Sequence, residues 1–471
     1  MWKITNLCLS LFLTHMLISI VLFAIITVFV FYTAGKQFYR VYQKIQLGKP
    51  EKISDQQGKR WRNVLLVAFG QQKMFKKITP AILHLFIYTA FLLTQVELIE
   101  ILIDGFFGVH RFFANYLGGF YTFIIGMIEV LSALALVATF CFLIRRNVLK
   151  VKRFWKAEMT TWPRLDANII LFAELTLITA ILTMNSADTV LQSINPEHYP
   201  NTGKLPISSW LGPALMGSWS MDWLMWTERL GWWLHVLVVY GFIVYLPFSK
   251  HLHIFLAFPN SWFARLRPRG QMSSMPEITH EVRSMLGIPQ DAAVTTESDG
   301  TTDFGVKDIF HLSWKNTLDA FTCTECGRCT AVCPANITGK KLSPRKILMD
   351  IRDRTEEVSA KLQSGDTKFI SKEKQSESEI LSPSNFDDGR SLFDYISEEE
   401  IYACTACNAC VEACPVLIDP LEPILQMRRY HILMESKGPA EWFPMFNALE
   451  SGGAVWQVPA SRSHWTEQLE K

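Results

Sequence analysis

Hydrophobic positions along this 471-residue chain gather into five long runs, near 11–34, 80–103, 117–144, 168–188 and 228–248, and few long runs follow beyond about residue 256. A helix needs about 20 residues to cross a bilayer, so each run predicts a transmembrane helix. The remainder is polar and reads as soluble. The first run is too long for a signal-peptide core and has no small-residue cleavage site after it, so it reads as an anchor. Cys8 lacks the preceding small residues of a lipoprotein signal.

The polar segments between the runs predict an orientation, because basic loops stay on the cytoplasmic side. Segment 36–79 carries eleven Lys and Arg and segment 145–164 carries seven, whereas 104–117 has only Arg111 and 186–228 only Lys204. The N-terminus is therefore expected outside a bacterial cytoplasmic (inner) membrane, and the polar tail inside. Trp210, Trp219, Trp223 and Trp226 would form an aromatic layer at the outer interface. The net charge of +2 gives no nucleic-acid footprint.

Ten cysteines change the picture more than charge does. Cys8 and Cys141 fall in apolar runs as buried thiols. The other eight form two repeats, Cys323-x2-Cys326-x2-Cys329-x3-Cys333-Pro334 and Cys404-x2-Cys407-x2-Cys410-x3-Cys414-Pro415. This is the run of two-cluster bacterial-type ferredoxins, in which the fourth cysteine ligates the other cluster. Three cysteines two residues apart wrap three corners of a cubane, and the fourth, before Pro, starts a helix. One [4Fe–4S] cluster is assigned to Cys323, Cys326, Cys329 and Cys414, the second to Cys404, Cys407, Cys410 and Cys333. Zinc sites favour two pairs of ligands instead. Available thiolates imply a reducing compartment, in agreement with a cytosolic tail.

Histidines at membrane depth are a functional signal. His84 lies near the start of the second run, and His235 and His253 bracket the fifth. On one continuous helix their spacing of 18 residues is five turns, which puts both on one face, roughly 27 Å apart at 1.5 Å per residue. One imidazole near each membrane surface suits two stacked haems. His251 would point away. The alternative is that these histidines sit in the headgroup layer of a haem-free anchor.

The stretch LHVLVVYGFIVYLPFSKHLHIF, Leu234–Phe255, resembles the last helix of the gamma subunit of respiratory nitrate reductase and of the membrane cytochromes of heterodisulfide reductase-like complexes. The resemblance covers roughly residues 1–270. It implies haem b, with an inner haem iron on His84 and His253 and an outer one on His235. The family's second histidine on helix two is replaced here by Thr94, so the outer partner falls to His110 or His15, or the outer haem is absent. Glu97, Glu100 and Asp104, with Glu129 and Glu174, are intramembrane carboxylates expected either on a proton path or bonded to backbone.

Beyond the membrane part, 257–312 reads as a connector, basic and amphipathic at FPNSWFARLRPRGQM, with an exposed linker at 286–305. Residues 313–433 form the cluster domain. LSPRKILMDIRD and DPLEPILQMRRYHILMES predict helices beside the motifs, and 363–392, rich in Ser, Lys, Glu and Asp, predicts a mobile loop. The fold class expected is all-α: a five-helix haem b membrane domain, 1–256, followed by a helical ferredoxin domain. That domain resembles the C-type subunit of heterodisulfide reductase. The tail, 434–471, resembles the lead into a CCG-type catalytic domain, and predicts docking to a separate cysteine-rich CCG-type iron–sulfur subunit. The domain order resembles electron-transfer flavoprotein:menaquinone oxidoreductases. It implies an electron-transfer subunit of a quinone-linked oxidoreductase, running between a soluble donor such as electron-transfer flavoprotein and the (mena)quinone pool in membrane lipid. The competing function is a membrane-anchored iron–sulfur sensor or assembly protein without turnover. No G-x-G-x-x-G fingerprint suggests direct oxidation of NADH.

Overall fold

A computed structural model of the chain describes residues 2–288, 304–373 and 380–456, with Thr466 and Leu469; the side chains of residues 1–15 and of Glu277 lie outside that description. The regular secondary structure of the described residues is helical apart from two isolated bridges, Lys49 with Ser313 and Ile370 with Phe386, with turns and irregular loops between the helices. They form two compact units: residues 1–45, 54–263 and 321–327 in one, and residues 46–53, 264–320 and 328–471 in the other.

The first unit holds α1 (Trp2–Ile45), α2 (Ile78–Phe107), α3 (Gly119–Leu143), α4 (Thr161–Ile194), α5 (Ser208–Met216), α6 (Met221–Tyr245) and α7 (His253–Trp262). Among the described residues five segments are long and apolar enough to cross a membrane: Met16–Ile45, Ile78–Phe107, Gly119–Val148, Thr161–Ile194 and Met221–Phe248. They extend past the apolar runs because polar and aromatic residues at the ends continue the same helices into an interfacial layer. Val28, Phe29 and Tyr32 of α1 stay exposed, as side chains facing lipid do, while Phe23, Ile181, Trp232 and Tyr240 build a shared core. Close helix crossings rest on small residues. A Cβ at Gly105 would meet the Phe23 ring at 2.5 Å, and one at Gly231 would meet the Ala180 carbonyl at 2.9 Å. Trp210, Trp223 and Trp226 are largely exposed, which suits an aromatic layer.

The expectation of one continuous last helix is corrected. Helix α6 ends at Tyr245, 3₁₀ turns follow at Leu246–Phe248 and Lys250–Leu252, and α7 begins at His253. Pro247 lacks the N–H that would continue the ladder. Asp166 of α4 then holds the broken segment, accepting from the Tyr245 hydroxyl at 2.6 Å, the Ser249 hydroxyl at 2.8 Å and the Lys250 N–H at 3.1 Å. The five-turn spacing of His235 and His253 therefore does not apply, nor does the reason for setting His251 aside.

The second unit carries most of α8 (Trp314–Thr322), then α9 (Arg328–Ala331), α10 (Pro334–Ile337), α11 (Pro344–Ser364), α12 (Glu398–Tyr402), α13 (Ala409–Ala413), α14 (Leu421–Leu433) and α15 (Trp442–Gly452). Ser343 caps α11, Pro344 opens it and Gly365, at φ +65°, closes it. Its core gathers Leu312, Ile347, Ile351, Leu392, Ile401 and Met427. The expected mobile loop over 363–392 is corrected in its described part. Phe386 packs on Phe310, and Arg354 is buried with Asp388 at 2.6 Å and Asp308 at 2.5 Å, so a ring and a charge pin the segment to α11. Residues 374–379 of that loop, 289–303 of the predicted linker and most of the tail beyond 456 lie outside the described residues. The connector is also more than basic and amphipathic. Arg265, Arg267 and Arg269 pair with Glu51, Glu422 and Glu412 at 3.0, 2.7 and 3.0 Å, all within this unit.

Candidate functional site

The two cysteine repeats take the same local shape. In the first, Glu325 and Gly327 have φ of +54° and +69°; in the second, Ala406 and Asn408, at the same places in the motif, have +53° and +60°. Two left-handed residues between the first and third cysteines curl each loop so that backbone N–H groups turn towards sulfur. The Ala406 N–H lies 3.4 Å from Cys404 Sγ, and the Ile418 N–H 3.3 Å from Cys414 Sγ. The third cysteine of each motif, Cys329 or Cys410, sits on the short helix α9 or α13, and these two helices pack together. The fourth, Cys333 or Cys414, precedes its proline in extended conformation, and Cys333 packs against Cys404 in the unit's core. Cys333 lies within electrostatic reach of Cys404 and Cys410, an arrangement compatible with crossed ligation.

The described cysteines form no disulfides. Burial pushes the Cys404 and Cys410 thiols above their ordinary range, and the neighbouring sulfurs push the same way. Iron must displace those protons when it binds. Among the described residues no three His, Cys, Asp or Glu side chains converge on one ion. Buried thiols at Cys323, Cys333, Cys410 and Cys414, with N–H groups turned to sulfur, fit cubane ligation, while Cys407 is exposed.

Three histidines of the first unit share one feature. Nδ1 of His84 lies 2.9 Å from Gln71 Oε1, that of His253 lies 3.0 Å from the Lys250 carbonyl, and that of His235 lies 3.2 Å from the Leu177 carbonyl. These oxygens accept, so each Nδ1 carries the proton and each Nε2 keeps its lone pair, the arrangement of a metal-ligating imidazole with its outer partner. The rings of His251 and His253 stack with centroids 5.4 Å apart, and His251 sits within electrostatic reach of His84. Burial holds His251 and His253 below the usual imidazole range, in the neutral form that iron takes. These residues fit haem at His84 and His253.

The other expected site residues find different partners. His110 Nε2 lies 2.9 Å from Asp188, so the structure engages it in an ion-pair cluster. Thr94 bonds back to the Phe91 carbonyl, and the His15 side chain is outside the described residues. Glu129 accepts from the Ile207 and Ser208 N–H groups and caps α5, a structural role. Glu100 accepts from the Tyr121 hydroxyl and the Phe113 N–H, and Asp104 from the N–H groups of Arg111 and Phe112. Glu97 is buried beside Arg111, and Glu174 is half-buried on α4.

Sequence reasoning missed one contact altogether. Lys250 Nζ lies 2.5 Å from Glu325, the residue between Cys323 and Cys326, and donates to the Pro163 carbonyl at 2.7 Å. The loop bearing the first two cysteines thus belongs to the unit that carries the histidines. A lysine next to a His-x-His and a glutamate inside a cysteine motif were the available signals, but 75 positions separate them.

Comparison with known proteins agrees with the cysteine chemistry. Residues 322–418 match the model of a 4Fe-4S dicluster domain. Over 95% of its length the chain is 26% identical to a probable iron-sulfur-binding oxidoreductase, FadF, of Bacillus subtilis, covering 60% of that protein. It is 25% identical to an EtfAB:quinone oxidoreductase of Syntrophomonas wolfei over 96% of the chain and 59% of the relative. A probable membrane-anchored ferredoxin of Chromohalobacter salexigens is 29% identical over 36% of the chain and 25% of its own length. The chain therefore spans about three fifths of the length of the first two relatives. No solved structure matches. Two of these relatives are named as oxidoreductases and the third as a ferredoxin, and this chain shares with a 4Fe-4S dicluster domain the stretch that holds its eight motif cysteines.

Proposed function

We propose that the chain passes electrons between a soluble donor and a membrane quinone, with two [4Fe–4S] clusters on its eight motif cysteines and haem b on His84 and His253. The Lys250–Glu325 pair is the observation that carries this reading. It ties the Cys323–Cys326 loop to the backbone three residues ahead of His253, whose Nδ1 bonds to Lys250 itself.

Bound clusters and haem supply one-electron carriers, and the chain's own residues supply position, burial and hydrogen bonds. The left-handed loop residues aim N–H groups at sulfur. The Gln71 and Lys250 oxygens hold the two imidazoles through Nδ1. Asp166 locks the turn between α6 and α7, and so the register of His253. His235 is orientated the same way by Leu177, while His110 stays with Asp188, so a second haem would need another partner.

The name of the Syntrophomonas relative supports an electron-transfer flavoprotein as donor and a quinone, menaquinone in the resemblance, as acceptor. Loop charge supports an inner-membrane protein with the N-terminus outside and the cluster domain in the cytosol.

The test is haem b and non-haem iron per chain in purified protein, with a dithionite-reduced spectrum. About eight non-haem irons with one bis-imidazole haem is the expected result. A second haem would place one at His235. No haem would sink the quinone-linked reading and leave an iron–sulfur protein on an anchor.

A further inference from the structure

The bundle end formed by the α2–α3 and α4–α6 connections buries more acid than base. On α2, Glu97, Glu100 and Asp104 occupy positions i, i+3 and i+7, one stripe of the helix, about 10 Å long at 1.5 Å per residue. Glu97 and Glu100 are buried, and Asp104, nearest the helix end, is half-buried. Asp188 of α4 is buried beside them. Their permanent cation is Arg111, itself 4% exposed, with its guanidinium 3.2 Å from Asp188 and 3.9 Å from Glu97. His110 Nε2 lies 2.9 Å from Asp188.

Four carboxyls around one arginine cannot all ionise in an apolar interior, because unpaired buried charge and like-charge repulsion both favour the protonated acid. Hydrogen-bond donors decide which acid stays neutral. Asp188 receives His110, Arg111 and Gln192. Glu100 has Tyr121 and the Phe113 N–H, and Asp104 has two backbone N–H groups. Glu129, facing from α3, is satisfied by the start of α5. Glu228 on α6, near Tyr199 and outside this group, has the Arg229 ion pair at 3.1 Å, with no hydrogen-bond partner at either carboxylate oxygen. Among the four carboxyls around Arg111, Glu97 differs: it has Asn185, but its Oε1 is buried with no hydrogen-bond partner, and so is the Arg111 Nε beside it.

We propose that Glu97 holds a proton at rest and ends a relay that runs along α2, through Glu100 and Tyr121, to Asp104 and His110 at the bundle end. Each step moves one proton between oxygen or nitrogen atoms and no electron. The use of the relay rests on the quinone reading. Reducing a quinone to its quinol takes two electrons from the donor and two protons; Glu97 gives one proton with each electron and is reloaded from the relay. The resting proton on Glu97 needs no quinone.

Infrared spectra of the full-length protein in lipid nanodiscs, wild type minus Glu97→Gln, test this in H₂O and D₂O. A protonated-carboxyl C=O band present only in wild type, moving to lower frequency in D₂O, is expected. Loss of carboxylate bands instead, or no difference, overturns it. Should Glu97→Gln fail to accumulate, Glu97→Asp is expected to move the band, and an unchanged spectrum overturns the assignment. Asp104→Asn should keep the band and slow its D₂O shift about tenfold; an unchanged rate overturns the route. Quinone reduction is assayed on the same samples: the band without turnover sinks the quinone reading and not the proton on Glu97, and turnover without the band does the reverse.

Discussion

Lys250 and Glu325 form a buried ion pair at 2.5 Å, their side chains 11% and 3% exposed. One partner stands three residues before His253, the other between Cys323 and Cys326. A pair so placed fixes a cysteine loop against a histidine segment. Removing one member leaves the other charged and buried, which costs about 3–5 kcal/mol in comparable sites.

Lys250→Met is therefore expected to lower thermal stability and to slow haem reduction by dithionite-reduced clusters at least about tenfold. Glu325→Gln, which keeps a polar group for Lys250, should lose less of both. Stopped-flow absorbance at the haem bands reads the rates. Equal rates in wild type and Lys250→Met would remove the pair from the electron path.

Cys333→Ser should abolish the same cluster as Cys404→Ser, because Cys333 packs with the second motif. Cys414→Ser should resemble Cys323→Ser. Each variant is expected to hold about four non-haem irons in place of about eight. Electron paramagnetic resonance of the reduced protein distinguishes the clusters, and pairing within each motif would refute the crossed assignment.

His84→Ala and His253→Ala should each lose the bis-imidazole haem spectrum while retaining the iron of both clusters. His235→Ala should leave that spectrum in place. A haem lost in His235→Ala and kept in His84→Ala would reverse the assignment of the site.

Glu422 makes the second unit sensitive to acid. Burial alone would raise its pKa, but Arg265, Gln426 and Arg267 outweigh it and depress the value from 4.5 to about 2. A depressed carboxylate contributes stability that is full above the unfolded value and is lost as pH falls through the folded one. Glu422→Gln should thus be less stable than wild type at pH 7, with the gap closing from about pH 4.5 towards about pH 2. Urea unfolding followed by tryptophan fluorescence measures it, and a gap that widens on acidification would contradict the pairing.

Much of the molecule was legible locally. The five helices long and apolar enough to cross a membrane follow from run length alone, because in lipid the backbone must satisfy itself within each segment. The proposed cysteine ligands rest on spacing, since a cubane fixes how far apart its corners lie, and Pro344 with Ser343 marked the start of α11. The continuous last helix failed at Pro247, where periodicity was extrapolated through a residue with no N–H to give. The loop at 363–392 failed because composition does not show that Asp388 and Phe386 meet Arg354 and Phe310.

The sequence by itself determined the local patterns: which segments are long and apolar enough to cross a membrane, where the two four-cysteine repeats lie, and which histidines stand in or beside the apolar runs. Each of these is carried by neighbours a few residues apart. Only tertiary structure decided that Lys250 meets Glu325, that Asp166 holds the turn before His253, that His110 goes to Asp188, and that Glu97 alone on its stripe lacks a donor for Oε1. Those are meetings between residues tens of positions apart, and burial sets their energies. Chain order carries no signal for which charge will find which partner once water is excluded.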